Sequence, residues 1–335
     1  MTCRYGAGVP RIAVFFLGGT ISMAGHYGGV VAWHGGAELV AAVPRLGDLD
    51  VTLDVRDLRR APSACLTFDD ILELAAEAEA CDADGVVVVQ GTDTLEETSY
   101  LLDLVWQLDT PIVLTGAMRN PNLAGADGPA NLLAAVLVAA SEQFRGLGAV
   151  VVLNDEIHAA RYVRKTHSTS PAAFASPNAG PIGHLVEGAP VLVAQPPPRL
   201  RLARPVPPIE VAVGLVTVTL DDDGALLADL DSRCDGLVLA GFGVGHVPAT
   251  MAPAIGVLAT RIPVVLSSRI GAGPVLSATY GFTGSESDLL ARGVIGAGLL
   301  DPYKARVLLR VLLAGGADRE AIAAAFAQAG GLAAG

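Results

Sequence analysis

Short apolar runs alternate with longer amphipathic stretches along the first half of the chain. The runs have the length and composition of strands that are buried on both faces, and they cover residues 11–17, 51–55, 85–90, 111–115 and 149–153. Between them, the pattern predicts helices over 68–80, opened by Thr67 and Asp70, over 95–107 and over 130–140. This alternation is typical of a doubly wound, mostly parallel sheet in an α/β protein.

A proline-rich segment then divides the chain. Residues 195–208 contain six prolines and three arginines, a composition that predicts an extended linker. We therefore expect a larger N-terminal α/β domain over 1–193, a linker over 194–209 and a smaller C-terminal α/β domain over 210–335. In the smaller domain the pattern predicts strands over 210–218, 236–240 and 263–267, and helices over 249–259, from Asp301-Pro302 to Gly315-Gly316 and over 319–329.

The stretch 85–102 carries the first candidate site. Thr94 and Glu97 have the spacing of a capping box, which predicts that a helix begins directly after the apolar run. Thr92 and Asp93 are therefore expected at the carboxyl end of a strand and just before a helix N-terminus. In parallel α/β sheets this is where ligands bind, and a helix N-terminus favours negative charge on the ligand.

A second threonine, Thr20, stands at the end of the first apolar run. The segment 24–36 that follows contains five glycines, which predicts a mobile loop able to close over a site. A hydroxyl is a weak nucleophile unless a neighbouring group activates it, and a lysine can do so when burial lowers its pKa. Lys165 lies directly after a buried strand in the polar segment 155–166, so it is a candidate for that task.

Composition narrows the range of partners. The chain is 52% hydrophobic with a net charge of -12, which argues against nucleic acid and against anionic membrane surfaces. The four cysteines, at 3, 65, 81 and 234, form no C-x-x-C pair, so we interpret them as small buried hydrophobic residues or free thiols. No apolar stretch is long enough to span a bilayer, and the start lacks the pattern of a signal peptide. We expect a cytoplasmic protein.

Six motifs occur along the chain in a fixed order: GGTIS at 18–22, VVQGTDTLEET at 88–98, VLTGAMRNP at 113–121, ADGPANL at 126–132, LNDEIHAARYVRKTHST at 153–169 and LDPYKARVLL at 300–309. In content and in order, they resemble the motifs of the bacterial-type L-asparaginase family. The resemblance covers nearly the whole chain, including the position of the linker, and is much more specific than any single motif.

The resemblance implies a reaction, the hydrolysis of a side-chain amide to a carboxylate and ammonia, with neither a metal nor an organic cofactor. It implies that Thr20 attacks the amide carbon and forms an acyl-enzyme that water then cleaves. It implies that Thr92, Asp93 and Lys165 form a second constellation, in which Lys165 polarises the Thr92 hydroxyl and Asp93 holds the α-ammonium group of the substrate. Backbone donors near Thr92 would stabilise the oxyanion.

The resemblance also assigns residues around the substrate. Ser63 corresponds to the serine that binds the α-carboxylate, and the backbone of Ala117 lines the side of the leaving amide. Tyr27, in the glycine-rich segment, corresponds to the tyrosine that activates the nucleophile. His246 stands where relatives often carry a polar Asn or Ser near the substrate; it either binds the substrate or is a turn residue with satisfied hydrogen bonds.

Two further features of the family bear on this chain. Its sites are completed across an intimate dimer, usually within a tetramer, so the resemblance implies a homodimer or homotetramer. A glutamate from the neighbouring subunit often supports the tyrosine, and the first glutamate after Tyr280 is Glu286. Ser63 is followed by Ala64-Cys65 where many relatives have Gln-Asp. Because that glutamine usually contacts substrate, the preferred amide is left open.

Other classes of protein fit less well. A nucleotide-binding protein is disfavoured because Gly241-x-Gly243 continues to His246 rather than to a third glycine. A metal site built from Asp155, Glu156, His158 and His167 matches no zinc spacing, and no G-x-S-x-G motif of a serine hydrolase occurs.

Three alternatives keep the fold and change the function. An amidotransferase subunit that acts on aminoacyl-tRNA would need a basic patch, which is not visible. A hydrolase of another amide, such as L-glutamine, D-asparagine or a larger metabolite, stays open because of Ala64 and His246. An inactive binding module is disfavoured because it has no need of Thr20 together with the threonine, aspartate and lysine of the second constellation.

Overall fold

The computed structural model describes residues 8–19, 21, 23–24, 31–32 and 35–331. The chain divides into two compact units, Met1–Arg201 and Leu202–Gly335. Each unit has its own sheet and its own hydrophobic core.

The first unit contains the predicted alternation of strands and helices. Its strands are β1 Arg11–Phe16, β2 Met23–Ala24, β3 Val31–Ala32, β4 Thr52–Asp57, β5 Gly85–Val89, β6 Ile112–Thr115, β7 Ala149–Leu153, β8 Glu156–Ala159, β9 Arg164–Lys165, β10 Phe174–Ala175, β11 Gly183–Val186 and β12 Ala189–Leu192. Its helices are α1 Gly36–Ala42, α2 Phe68–Glu79, α3 Leu95–Val105 and α4 Gly128–Ala139.

Eight of these strands form one sheet in the order β12-β11-β8-β7-β6-β5-β1-β4. The five strands from β7 to β4 are parallel, and β8, β11 and β12 extend the sheet with antiparallel pairs. Every residue of β5 and of β7 is buried, as expected of strands covered on both faces. The predicted fold class of the first unit, a doubly wound and mostly parallel sheet, is confirmed.

The antiparallel extension was not predicted. β7 and β8 are joined by the two residues Asn154 and Asp155, with φ values of 52° and 61°. A two-residue hairpin loop of type I′ requires positive φ at both positions, and Asn and Asp tolerate it better than most residues. The Asn-Asp pair was therefore a signal for a hairpin.

The predicted starts of α2 and α3 had different outcomes. At the start of α2, which Thr67 and Asp70 were predicted to open, Thr67 Oγ1 accepts a hydrogen bond from Asp70 N at 3.2 Å, and Asp70 Oδ2 accepts one from Thr67 N at 2.8 Å, so the predicted start is confirmed and forms a capping box. The box at the start of α3 was wrong, because the Thr94 side chain makes no capping hydrogen bond. Thr94 Oγ1 instead donates to the carbonyl oxygen of Ser63 at 3.1 Å. That bond ties the start of α3 to a distant turn.

The second unit has a smaller, fully parallel sheet in the order β13-β14-β15-β16. Its strands are β13 Val213–Thr217, β14 Gly236–Gly241, β15 Val264–Ser268 and β16 Ile295–Gly296, and its helices are α5 Ala252–Ala259, α6 Glu286–Ala291, α7 Pro302–Ala314 and α8 Arg319–Ala329. As predicted, Asp301 caps α7, accepting from Tyr303 N at 3.0 Å and Lys304 N at 3.1 Å, and Gly315 ends it. A smaller C-terminal α/β unit is thus confirmed, although α6 and β16 were missed.

The proline-rich segment contains no helix or strand between residues 193 and 212. Its first part is nevertheless attached to the first unit by arginines. Arg161 Nη2 donates to Pro197 O at 2.8 Å, and Arg199 Nη1 donates to Asp103 O at the C-terminal end of α3 at 2.6 Å. The boundary between the two units falls after Arg201, within the predicted linker.

Three of the four cysteines lie among the described residues, and all three are free thiols. Cys65 is exposed rather than buried. Over the described part of the chain, none of the helices combines the length and the apolar character needed to cross a membrane.

Candidate active site

The ends of β1 and β5 lie side by side because these strands pair in parallel. Gly19 follows β1 with a φ of 99°, a conformation that favours glycine. A Cβ on Gly19 would lie 2.2 Å from the backbone nitrogen of Gly91, so the two strand ends are in direct contact. Two predicted site residues, Thr20 and Tyr27, lie outside the described residues.

Thr92 and Lys165 meet at this edge of the sheet. Lys165 Nζ donates a hydrogen bond to Thr92 Oγ1 at 2.9 Å and lies 3.4 Å from Asp93 Oδ1. Thr92 is 6% exposed, and the lysine side chain is 16% exposed. An ammonium group therefore contacts a threonine hydroxyl in a place that is largely shielded from water, where its electrostatic effect on that hydroxyl is stronger than in solution.

Ser63 lies directly behind Asp93. Its Oγ accepts a hydrogen bond from Asp93 N at 3.1 Å and donates to Asp93 Oδ2 at 3.4 Å. A Cβ on Gly91 would lie 2.6 Å from Ser63 Oγ, so a glycine is required for this close approach. Ser63 is buried, whereas the Asp93 side chain is 64% exposed. Asp93 thus has one oxygen toward Lys165, the other toward Ser63, and an open face.

Ala117 lies in the loop after β6, directly after Gly116. A Cβ on the preceding residue, Gly116, would lie 3.3 Å from Thr92 Cγ2, and Ala117 itself is buried. Asp127 holds this loop, because its carboxylate accepts hydrogen bonds from the backbone nitrogens of Met118 at 3.0 Å and Arg119 at 2.8 Å. This supporting role of Asp127 was not predicted, although Asp127 stands just before Gly-Pro at a helix start.

Asn131 supports the same region from α4. Its Nδ2 donates to Gly116 O at 3.0 Å, and its Oδ1 accepts from Asn154 N at 3.0 Å. It therefore joins the loop after β6 to the turn between β7 and β8. Nothing in the local pattern around Asn131 indicated these contacts, because both partners are far away in sequence.

His246 lies in the second unit, in the loop after β14. Its Nε2 is 3.1 Å from Glu286 Oε2, while its backbone closes the loop through Phe242 N, which donates to His246 O at 2.8 Å. The imidazole is 24% exposed, and the Glu286 side chain is completely buried. Glu286, the first glutamate after Tyr280, is thus engaged inside its own unit in this structure.

The carboxylate of Glu286 is held by several donors. Its Oε1 accepts hydrogen bonds from the backbone nitrogens of Thr279 at 3.0 Å and Tyr280 at 2.7 Å. Burial acts to raise the pKa of Glu286, but these backbone donors and the His246 imidazole outweigh it and lower the pKa below its ordinary value. A charged Glu286 only accepts hydrogen bonds, so His246 Nε2 carries the proton.

The polar residues that flank Lys165 form no metal site. Across the part of the chain that the structure describes, no group of three or more His, Cys, Asp or Glu side chains is arranged to hold a metal ion. His158 is buried, which lowers its pKa, and its Nδ1 lies 3.0 Å from Ser176 Oγ. His167 Nδ1 accepts from Thr169 N at 3.1 Å within its own loop.

The first unit therefore brings together four of the predicted site residues: Thr92, Asp93, Lys165 and Ser63. The cluster contains a hydroxyl polarised by an ammonium group and an open carboxylate at the ends of parallel strands. Such a cluster is able to bind a small zwitterionic molecule and to assist a hydroxyl in proton transfer.

Both units of the chain are similar to known proteins. The family profile described as "Asparaginase, N-terminal" matches residues 11–199, and that described as "Glutaminase/Asparaginase C-terminal domain" matches residues 212–326. The chain is 38% identical over 329 residues to the protein named "Probable L-asparaginase" from Deinococcus radiodurans, covering 96% of this chain and 98% of that protein. It is 32% identical to a "Glutaminase-asparaginase" from Pseudomonas fluorescens, covering 91% of this chain and 86% of that one.

A solved structure is similar as well. The structure described as a probable cytoplasmic L-asparaginase from Campylobacter jejuni superimposes with a TM-score of 0.82 at 33% identity, over 95% of this chain and 99% of that one. Similarity of sequence and of fold thus extends over both units of the chain. The chain therefore belongs to the bacterial-type L-asparaginase family, and it is a hydrolase that acts on amide bonds.

Proposed function

We propose that the chain hydrolyses L-asparagine to L-aspartate and ammonia through a threonine acyl-enzyme. The observation that carries the proposal is the contact of Lys165 Nζ with Thr92 Oγ1 at 2.9 Å, next to the open carboxylate of Asp93. Relatives named L-asparaginase, similar over nearly the whole chain, support the choice of substrate.

In the proposed reaction, the Thr20 hydroxyl attacks the side-chain amide carbon of the substrate. The carbon–nitrogen bond breaks, ammonia leaves, and water then cleaves the ester to regenerate the hydroxyl. Tyr27 assists proton transfer at Thr20. Lys165 polarises the Thr92 hydroxyl, and the proton of that hydroxyl points toward the amide nitrogen that leaves as ammonia.

The substrate would be held by its α-ammonium group and by its α-carboxylate. Asp93 binds the α-ammonium group through its exposed face, and Ser63 exchanges its bond with Asp93 for one with the α-carboxylate. The backbone of Ala117 lines the side of the leaving amide. His246, whose Nε2 is already engaged with Glu286, would contribute its Nδ1 to substrate binding.

We further propose that the enzyme works as a homodimer or homotetramer in the cytoplasm. The oligomeric state follows the family resemblance, and the location follows the relative described as cytoplasmic. The domain plan that goes with it is an N-terminal domain over 1–193, a linker over 194–209 and a C-terminal domain over 210–335.

A related amide is the second candidate for the substrate. One relative is named glutaminase-asparaginase, and Ala64 follows Ser63 with an exposed methyl group that forms no hydrogen bond with a side-chain amide. L-Glutamine, D-asparagine and larger amides therefore belong in the test.

The test measures ammonia released from L-asparagine, L-glutamine and D-asparagine. Thr20→Ala and Thr92→Ala are compared with Thr260→Ala, whose hydroxyl only bonds Val257 O in α5. Release from L-asparagine that is lost in the first two variants and kept in the third supports the proposal. A folded, oligomeric wild type that releases ammonia from L-glutamine or D-asparagine alone selects the second candidate. Release from none of the three contradicts hydrolysis of L-asparagine, L-glutamine and D-asparagine, and the same assay is then applied to larger amides.

A further inference from the structure

A second carboxylate at the start of α3 contacts the segment that carries Lys165. Glu96 lies three residues after Asp93 and is 8% exposed. Its Oε2 accepts a hydrogen bond from the backbone nitrogen of Lys165 at 3.1 Å and lies 3.9 Å from Arg164 Nε. A buried carboxylate is tolerated when a hydrogen-bond donor and a cation are next to it, and both are here on one short strand.

The local strand geometry explains why this contact matters. β9, which contains Lys165, pairs with β10 alone in its two-stranded sheet. Thr166 N donates to Ala173 O next to β10 at 2.7 Å. Because successive N–H groups of a strand point to opposite edges, the N–H of Lys165 points away from β10. Glu96 supplies the acceptor that a further strand would otherwise provide.

We propose that Glu96 is a positioning residue for Lys165. Its carboxylate holds the Lys165 backbone against the start of α3, so that Nζ reaches Thr92 Oγ1 from a fixed point. The proposal rests on the proposed function, in which Lys165 acts on Thr92. Thr92 and Glu96 belong to one continuous strand-turn-helix segment. This segment would therefore hold the backbone nitrogen of Lys165 through Glu96 and its Nζ through Thr92.

Exchange of the Lys165 amide proton can be followed selectively, because the chain contains only two lysines, Lys165 and Lys304. Labelling with [15N]lysine yields two backbone amide signals, which the substitution Lys165→Arg assigns. In Glu96→Ala we expect the Lys165 amide proton to exchange with solvent about 10- to 100-fold faster, since it loses a charged acceptor. The Lys304 signal serves as the internal control, and Glu97→Gln, one residue further along the helix, as the matched variant.

The same variants are then assayed with L-asparagine. A misplacement of about 1 Å at a catalytic group costs up to about 100-fold in rate, so we expect kcat of Glu96→Ala to fall about 10- to 100-fold with KM changed less than about threefold. Glu96→Gln keeps an acceptor oxygen at the same place. It should restore most of kcat, with amide exchange about threefold faster than in the wild type. Glu97→Gln should leave both quantities unchanged.

Faster exchange of the Lys165 amide together with a lower kcat in Glu96→Ala, both largely restored in Glu96→Gln, supports the positioning role. Unchanged exchange in Glu96→Ala overturns it, and so does faster exchange with unchanged kcat. If Glu96→Ala does not fold, the exchange rate in Glu96→Gln decides, because a Lys165 amide that exchanges no faster there than in the wild type contradicts the proposal. A wild type that releases no ammonia is a different result, since it refutes the proposed function itself.

Discussion

Lys165 and Lys304 are the only lysines of the chain, and each has an aspartate next to its ammonium group. Lys304 Nζ lies 2.9 Å from Asp301 Oδ2, three residues away at the start of α7, and the two side chains are 0% and 6% exposed. Lys165 Nζ lies 3.4 Å from Asp93 Oδ1, with side chains 16% and 64% exposed. The first pair is closed and local, whereas the second is open and joins segments 72 residues apart.

The difference separates a lysine that stabilises the fold from one that is available for chemistry. The Asp301 carboxylate caps α7 and neutralises Lys304, so both of its oxygens are engaged inside the second unit. Lys165 makes its shorter contact with a hydroxyl, Thr92 Oγ1, rather than with its aspartate. Burial of a matched pair is typical of structural ion pairs, while an ammonium group aimed at a hydroxyl beside an open carboxylate is typical of an active site.

The largest expected effect comes from Lys165→Met, which keeps the length of the side chain and removes its charge. If Lys165 assists proton transfer at Thr92, kcat for L-asparagine should fall about 1,000-fold, within the usual range for an acid–base group. The free energy of unfolding should change by less than about 1 kcal/mol, because the partner Asp93 is mostly exposed and such pairs contribute little. Steady-state kinetics and denaturant unfolding measure the two quantities. A kcat close to that of the wild type in the folded variant would show that Lys165, like Lys304, is not needed for the reaction.

Lys304→Met should show the opposite pattern. It leaves Asp301 buried without its ammonium partner, and breaking a buried pair in this way costs about 3 to 5 kcal/mol of unfolding free energy. Activity per folded molecule should stay close to that of the wild type. The combination of Lys304→Met with Asp301→Ser keeps a good helix cap and removes the unpaired charge, so it should recover part of the lost stability. Full wild-type stability of the single variant would show that the buried pair contributes nothing.

The helices and strands that were predicted correctly are those whose sequence pattern is local. α8 was predicted with its observed bounds, and β7 likewise, because a continuous apolar run or an alanine-rich stretch decides them locally. The six-residue helix α6 and the two-residue strand β16 are too short to leave a periodic pattern. Their existence depends on packing within the second unit.

Only part of the candidate site shows in the local sequence. Thr92 and Asp93 were expected between a strand end and a helix start from the apolar run 85–90 and from the capping box predicted at Thr94. The strand and the helix are present, although that capping box is not. The contact of Lys165 with Thr92 spans 73 residues, and only the family resemblance indicated it. The capping box predicted at Thr94 was wrong for the same reason, a contact between residues far apart in sequence. The Thr94 hydroxyl donates to Ser63 O, 31 residues away, and a local sequence pattern does not indicate this alternative acceptor.

Asp103 is a third carboxyl group near cations, and it is buried like Asp301, but its carboxylate lacks a close ammonium partner of the kind that Asp301 has. Arg199 donates to the backbone oxygen of Asp103, and the carboxylate accepts from Ala149 N at 3.0 Å. Burial raises the pKa of Asp103 to about 6, and the nearby Arg199 and Arg161 only partly oppose that rise. The folded state thus binds the proton of the Asp103 carboxyl group more tightly than the unfolded chain does. Protonation of Asp103 therefore stabilises the folded state at low pH, and this stabilisation is lost as the pH rises from about 4 to about 6.

Asp103→Asn removes this titration and should therefore gain stability relative to the wild type as the pH increases. Between about pH 5 and about pH 7.5, we expect the difference in unfolding free energy to move by about 1 to 2 kcal/mol in favour of the variant. The exposed Asp82→Asn is the control, and all three proteins are unfolded in denaturant at one protein concentration, since association shifts apparent stability. Parallel stability curves for Asp103→Asn and the wild type would mean that Asp103 is charged in the folded state, matched by the arginines as closely as Lys304 is matched by Asp301.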